Sequence, residues 1–456
     1  MGSSINLSEV GTRLEPQDAD DQRNYVADLL DRRQTTFPGA QPVSFARGHI
    51  EELQQHDYFM CEKTDGIRCL MYLNQYTDPG GVHEAQFLID RKNDYYFIPG
   101  GRLHVPRAPA VLKPGGEAFD LHTFHTGTLL DGELVLQTRR SADGHETKRL
   151  TYLMFDILAL DGENVMPRTF DKRMARLEHM VWRPYRKFAE RYPQEVPEQP
   201  FDMEMKSMEF AYAAEMMFRD KIPRLPHGND GLIFTCVGTV YTPGTDTHIL
   251  KWKPPQENTI DFRLEIGSFP LTSDGDGGEA YEDYDALPEI ELQINHGGHY
   301  EYYATLHLAP AEWSATKALN QQIDGRIIEC YRDPDTGQWR PKLEADGSPR
   351  FRDDKTESNH ISTVRSVEQS IRDAVSEQDL MDNAAAIRKG VKARQSARAE
   401  EGKAAERAKA AGEKRKRDAQ AQAQAQAKVQ GPPVEQRRKV EEVVKEEEDD
   451  GPRYED

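Results

Sequence analysis

The segment best suited to covalent chemistry is Glu62-Lys63-Thr64-Asp65-Gly66-Ile67-Arg68. The apolar run Tyr58-Phe-Met-Cys61 precedes it, so Lys63 stands at the end of a strand where Asp65-Gly66 turns the chain. Protonated lysine, with an ordinary pKa of about 10.4, is a poor nucleophile. Partial burial beside other cations is how proteins favour the free amine that attacks an electrophile. A surface hairpin with incidental charges has the same composition. Lys-x-Asp-Gly-x-Arg arises by chance in roughly a few chains of this length per thousand.

Further residues suited to a nucleoside triphosphate follow in order. They are Asp90-Arg91, Leu130-Asp-Gly-Glu133, Tyr152-Leu-Met-Phe-Asp-Ile157, Asp230-Gly-Leu-Ile-Phe234, Leu250-Lys-Trp-Lys-Pro254 and Arg352-x-Asp354-Lys355-x-x-x-Asn359. A triphosphate needs lysines and arginines, carboxylates for Mg²⁺ and an aromatic ring for its base. Singly, each has a plainer reading: Asp-Gly-Glu as a turn, Phe155 as core, Lys251 and Lys253 as a solvated edge around Trp252. Six together, in this order after the lysine, are hard to explain that way.

In this order the sequence resembles the covalent nucleotidyltransferase superfamily of mRNA capping enzymes and ATP-dependent ligases, over roughly residues 20–370. The resemblance implies that Lys63 carries the nucleotide and that Lys251 and Lys253 hold the α-phosphate. Asp230 would support the lysine and, with Glu133, a Mg²⁺ or Mn²⁺ ion. Glu62, Arg68 and Arg91 fall among the nucleotide-binding residues, with Arg91 approaching ribose and phosphates. Glu133 would bind ribose or help hold the metal, and Phe155 would stack on the purine. Arg352, Asp354 and Lys355 would grip the β- and γ-phosphates from a second domain.

Thr64, the Phe234-Thr235 pair and Asn258-Thr-Ile-Asp-Phe262 after Lys-Trp-Lys-Pro-Pro look like capping guanylyltransferases, as does the form of the last motif. Lys206, in Met203-Glu-Met-Lys206, falls where such enzymes direct a lysine toward guanine O6. The resemblance then implies transfer of GMP from GTP, through Lys63-GMP, to the 5′-diphosphate end of nascent RNA, forming a GpppN cap. The chain has no His-Cys-x₅-Arg phosphatase loop, so a separate RNA 5′-triphosphatase, a beta subunit as in fungi, is an expected partner. The phosphorylated C-terminal domain of RNA polymerase II is another. An ATP-dependent polynucleotide ligase is the alternative enzyme, and an inactive scaffold for RNA polymerase II or RNA the alternative of another class.

These residues must be positioned by elements legible in the pattern. Helix is expected over residues 20–35, from Phe170 to about Arg191, and from Ser362 to about Asp382. Strands are expected at Tyr58–Cys61, Arg68–Leu73, Gln86–Asp90, Thr128–Gln137, Tyr152–Leu158 and Gly231–Cys236. Period-two alternation in Ile260–Ile266 and Ile290–Ile294, and a hairpin-like turn at Asp333-Pro-Asp-Thr-Gly337, point to a small antiparallel barrel. The expected fold class is α+β. A nucleotidyltransferase (ligase-like) domain with antiparallel sheets covers residues 1–254, an OB-fold barrel 255–381 and a disordered charged tail 382–456.

From Arg388 to Asp456 there are 18 Lys/Arg against 15 Asp/Glu, a net of +3; with −20 overall, residues 1–387 carry −23. Such a body is no general nucleic-acid binder, and phosphate chemistry there must rest on a few placed cations. The four cysteines show no CxxC spacing, which fits neither a zinc site nor a disulfide framework. No apolar run reaches membrane-spanning length and no signal peptide is evident, so a soluble, intracellular protein without membrane contact is expected. Lys414-Arg-Lys-Arg417 and Arg437-Arg-Lys439 are candidate nuclear signals, and the nucleus is the expected location.

Overall fold

The computed structural model describes residues 5–98, 101–109, 118–140, 143–273 and 279–429. The second basic cluster, Arg437-Arg-Lys439, and the acidic end, Glu446–Asp450, lie outside them.

The N-terminal part opens with helix α1 (Pro16–Leu29), earlier by one turn than its composition suggests, because Pro16 is favoured at a helix start. Among the strands that follow, those that frame the site are β1 (Ala40–Ser44), β2 (Tyr58–Thr64), β3 (Ile67–Asp78), β4 (Gly81–Ile89), β5 (Tyr95–Ile98), β6 (Thr128–Arg140), β7 (Glu146–Leu160), β8 (Asp202–Met205), β9 (Asn229–Cys236) and β10 (Gly244–Trp252). One sheet runs β5-β4-β3-β6-β7, with β8 parallel to β7; the other runs β2-β9-β10-β1. The helical stretch from Phe170 to Arg191 is continuous but loosely wound over Leu177–Trp182.

Strand β3 explains its own unbroken apolar run. Cys69, Met71 and Leu73 belong to a core on one face of the first sheet, while Leu70 and Tyr72 belong to a core on the other. Both faces are covered, so both parities are apolar. The second sheet divides differently. Met60, Leu232, Phe234, Leu250 and Trp252 enter a third core, whereas Cys61, Lys63, Ile233, Thr235, Ile249 and Lys251 face a cavity. Register enforces this: Cys61 lies opposite Ile233, and Ile233 opposite Lys251.

The second domain is a five-stranded antiparallel sheet: β11 (Thr259–Ile266), β12 (Ile290–Asn295), β13 (Tyr300–Thr305), β14 (Ile327–Arg332) and β15 (Trp339–Pro341), ordered β13-β12-β11-β14-β15. The expected barrel is not closed by a ladder. Among the described residues one parallel bridge, Leu306–Trp339, joins the edges. Strand β15 has three residues and ends in Pro341, which has no N–H to extend the pairing.

The helix expected from Ser362 is two helices. Helix α2 (Ile361–Arg372) packs Val364, Val367 and Ile371 on the second domain's core. After a break at residues 373–376 the chain changes partner: Val375, Leu380, Ile387 and Val391 join the third core, beneath the second sheet. The Trp252 indole N–H donates to the Val375 carbonyl at 2.8 Å. Helix α3 (Glu377–Val429) runs through the first part of the charged tail, residues 382–456, for which disorder was expected. Ala, Gln, Lys, Arg and Glu are all strong helix formers, so the composition that denies this segment a core still favours a helix. No described helix is long and apolar enough to cross a membrane. All four cysteines are free and buried.

The compact unit ends at Val391, nine residues beyond the expected start of the tail at residue 382. Deleting residues 384–456 removes the fully buried Ile387 and Val391 and should lower stability by about 3–6 kcal/mol. Deleting 392–456 should leave the urea unfolding midpoint of the body unchanged.

Candidate active site

The cavity, of about 330 Å³, lies between the two sheets of the N-terminal part. From the second sheet come Lys63 on β2 and Lys251 on β10, with Lys253 just beyond. From the first come Arg68 on β3, Arg91 just after β4, Glu133 on β6 and Phe155 on β7. Lys206, after β8, completes the wall. Six basic and three acidic side chains line this space, in a chain whose overall charge is −20. That local inversion suits a polyanionic ligand.

Asp230 ties the lysines together. One carboxylate oxygen accepts from Lys63 Nζ at 2.6 Å and the other pairs with Lys253 Nζ at 2.8 Å. A register shift between Asn229 and Leu232 lifts Asp230 out of the ladder. Gly231 permits it: its φ is +145°, and a Cβ would sit 2.0 Å from the Trp252 carbonyl oxygen. Lys251 and Arg91 make no ion pair among the described residues. Burial first, and then the charges of Lys253, Lys63 and Arg91, hold the Lys251 ammonium below the usual lysine range. Burial and neighbouring Arg68 depress Arg91 likewise.

At the other end of the cavity the polar groups are paired. Arg68 donates to both oxygens of Asp131, at 3.1 and 2.6 Å, and to the Ala40 carbonyl. The Tyr241 hydroxyl donates to Asp131 at 2.6 Å and accepts from the Ala40 N–H at 2.9 Å. Burial pushes the Tyr241 phenol well up, so it stays a donor. Thr64 donates to Glu133 and accepts from Lys206 Nζ at 2.6 Å. Lys206 also reaches the Glu62 carbonyl at 3.2 Å, with the Glu62 and Glu133 carboxylates at 4.0 and 3.7 Å. The Phe155 ring carries Arg68 at 5.6 Å and Lys206 at 5.5 Å from its centre.

Of the residues singled out by sequence, Lys63, Arg68, Arg91, Glu133, Phe155, Lys206, Lys251 and Lys253 line the cavity. Asp230 holds two of them, and Glu62 touches the site through Lys206. Arg352, Asp354 and Lys355 do not line it. They sit on the second domain, where Asp261 pairs with Lys355 and, at 3.3 Å, with Arg352, while Arg352 donates to Asp354 at 2.9 and 2.8 Å. The Arg352 hydrogen bond holds the Asp354 carboxyl down at about 2. Sequence reading missed Tyr241, which belongs to no recognisable motif, and the part of Asp131, whose position beside Glu133 was its only signal.

Among the described residues no group of three Asp, Glu, His or Cys side chains could hold a metal. A divalent ion at this cavity would therefore have to bring other ligands with it. Mg²⁺ typically takes one or two carboxylates and fills its shell with phosphate oxygens and water.

A lysine amine beside a carboxylate, on a cation-rich cavity between two sheets, defines the site of a nucleotidyltransferase. Residues 7–255 match the family described as mRNA capping enzyme, catalytic domain, and residues 257–381 match mRNA capping enzyme, C-terminal domain. The chain belongs to the mRNA capping enzyme family. It is 43% identical to the mRNA-capping enzyme subunit alpha of Neurospora crassa, covering 88% of this chain and 97% of that one. Identity to the subunit alpha of Schizosaccharomyces pombe is 40%, over 80% of this chain and 84% of the relative. For Saccharomyces cerevisiae it is 38%, over 78% and 80%. Solved ligases also align, among them mycobacterial DNA ligase D complexed with ATP and MES, at 16% identity and a TM-score of 0.31 over 70% of this chain and 95% of that one. That likeness is too slight to carry an argument.

Arg68 and Asp131 are a buried pair, with side chains 10% and 1% exposed. Replacing Asp131 with Ala strands a guanidinium and should cost about 3–5 kcal/mol of stability, read from urea unfolding. A loss under about 1 kcal/mol would mean that water solvates Arg68 through the cavity.

Proposed function

We infer that this chain is the guanylyltransferase of mRNA capping, with Lys63 as its nucleophile. The observation that carries the reading is the position of the Lys63 amine on the cavity wall, tied to Asp230 and flanked by Lys251 and Lys253. In the first half-reaction the Lys63 amine attacks the α-phosphorus of GTP. The bond to the bridging oxygen breaks, pyrophosphate leaves, and a Lys63-GMP phosphoamide remains. In the second, a 5′-diphosphate oxygen of nascent RNA attacks the same phosphorus, the P–N bond breaks, and the GpppN end departs with the lysine amine restored.

Asp230 orients the Lys63 amine and holds Lys253 beside it. Lys251, Lys253 and Arg91 lie where negative charge on the α-phosphate can be met by fixed cations, which costs no reorganisation at the moment of reaction. Phe155 offers a face to the purine, and Lys206 a donor toward guanine O6. Glu133 and Asp230 would hold Mg²⁺ or Mn²⁺ accompanying the triphosphate, neutralising its phosphates. Arg352, Asp354 and Lys355 serve the β- and γ-phosphates. Incoming phosphates must displace Asp261 from Arg352 and Lys355, so these cations are recruited only when the second domain meets bound nucleotide.

The partners follow from the chemistry. Transfer needs a diphosphate-ended acceptor, and nascent RNA begins with a triphosphate, so a separate RNA 5′-triphosphatase acts first. The name subunit alpha carried by the relatives supports a second subunit. The nucleus is the location, and the phosphorylated C-terminal domain of RNA polymerase II a further partner.

Incubation with α-labelled GTP or ATP tests the reading. GTP should label the protein in an acid-labile, alkali-stable, divalent-dependent bond, as a phosphoamide requires, ATP should not, and Lys63→Ala and Lys63→Arg should abolish labelling, since a guanidinium stays protonated. Labelling by ATP alone would make the chain a ligase, and labelling that survives in Lys63→Ala would move the nucleophile elsewhere.

The two half-reactions separate the roles of the domains. Arg352→Ala should slow formation of Lys63-GMP at least about tenfold, the loss of a charge-assisted contact of roughly 1.4 kcal/mol or more. Enzyme already guanylylated should pass GMP to diphosphate-ended RNA at nearly the normal rate. Equal loss in both steps would sink the leaving-group role.

A further inference from the structure

From Arg388 onward helix α3 carries the strongest concentration of positive charge in the sequence. Residues 388–418 hold twelve Lys/Arg against five Asp/Glu, a net of +7, so the remainder of the chain carries −27. At about 3.6 residues per turn, Lys389, Lys392, Lys403, Arg407, Lys414 and Arg417 fall in one arc of about 80° along the helix. The other positions of that arc are Ser396, Ala399, Ala410 and Ala421, and none of the five acidic residues falls in it. All six cations are exposed, and among the described residues none makes an ion pair or hydrogen bond. With a rise of about 1.5 Å per residue, the stripe is about 42 Å long.

The chemistry of the stripe narrows its partner. From Lys392 to Gln422 there is no Leu, Ile, Val, Met or aromatic residue. Protein interfaces take their energy from buried apolar and aromatic anchors, and amphipathic membrane helices need an apolar face; this segment has neither. A row of cations without anchors suits a polyelectrolyte backbone, where affinity comes from phosphate neutralisation and counterion release. The acceptor of the proposed reaction is such a backbone, and the acidic remainder of the chain repels it. Two members of the basic cluster noted in the sequence, Lys414 and Arg417, lie in the stripe, whereas Arg415 and Lys416 point elsewhere on the wheel.

We propose that the basic stripe of helix α3 binds the sugar-phosphate backbone of single-stranded RNA, retaining the acceptor strand while its 5′ end is capped. The proposal rests on the capping reading for its substrate, and the test separates the two. Full-length protein is compared with a Lys403→Glu/Arg407→Glu/Lys414→Glu variant, with helix content checked by circular dichroism. Covalent labelling by GTP, and transfer to a diphosphate-ended dinucleotide, should be the same in both proteins. Failure of either reaction in the wild type would count against the capping reading and not against the stripe.

For a 40-nucleotide diphosphate-ended RNA the variant's KM should rise at least about tenfold. Six phosphate contacts give a slope of log affinity against log salt of about −4 for a single strand. The variant should lose about half of it. A KM and salt slope unchanged by the three substitutions would overturn the proposal. So would loss of binding to a phosphorylated acidic peptide with RNA affinity intact, which would assign the stripe to a protein.

Discussion

Gathering cations in one place costs electrostatic energy unless something holds them there, and here a single carboxylate does it. Asp230 bonds Lys63 through one oxygen and Lys253 through the other. Its position depends on the displaced register at Asn229–Leu232 and on a glycine that alone tolerates the close approach of the Trp252 carbonyl. Lys251, on the same strand as Trp252, has no counter-ion among the described residues and is held below its usual pKa by burial and its neighbours. One end of the cavity is thus short of negative charge, the condition in which phosphate binding is favoured. At the other end, from Arg68 to Lys206, the polar groups are paired with one another.

The same sheet that presents the lysines is supported from below by segments distant in sequence. Trp252 lies between Lys251 and Lys253 and points to the opposite face, where it packs in the third core and bonds the Val375 carbonyl. The start of helix α3 therefore buttresses the strand that carries two cations of the site. Because α2 packs on the second domain and Val375 on the first, the chain crosses between the domains twice, before Thr259 and again at residues 373–376. Motion of the second domain must be absorbed at both crossings.

The last motif illustrates how a charged group waits for its ligand. Arg352 and Lys355 share Asp261, a buried carboxylate, and Arg352 also holds Asp354. Both cations are satisfied by carboxylates of their own domain. An anionic ligand reaching this motif would have to replace those bonds rather than fill an empty site, which limits its differential affinity for the two states.

Much of this was legible in the sequence. The order of the charged motifs, the apolar parity of β3 and the alternation of β11 and β12 follow from local spacing, because strand periodicity fixes which side chains share a face. Nucleotidyl-transfer chemistry followed from the family resemblance that those ordered motifs carry, residue types alone pointing only to a nucleoside triphosphate. What spacing could not supply was contact between distant strands. That Asp131 clamps Arg68, that Tyr241 holds Asp131, and that Asp230 bridges two lysines depend on the register and stacking of two sheets. The extent of helix α3 was misjudged for a related reason: a segment lacking apolar residues has no core-forming signal, yet helix propensity needs none. Only the tertiary structure decided that Ile387 and Val391 still have a core to enter, since burial is a property of what the rest of the chain brings to meet them.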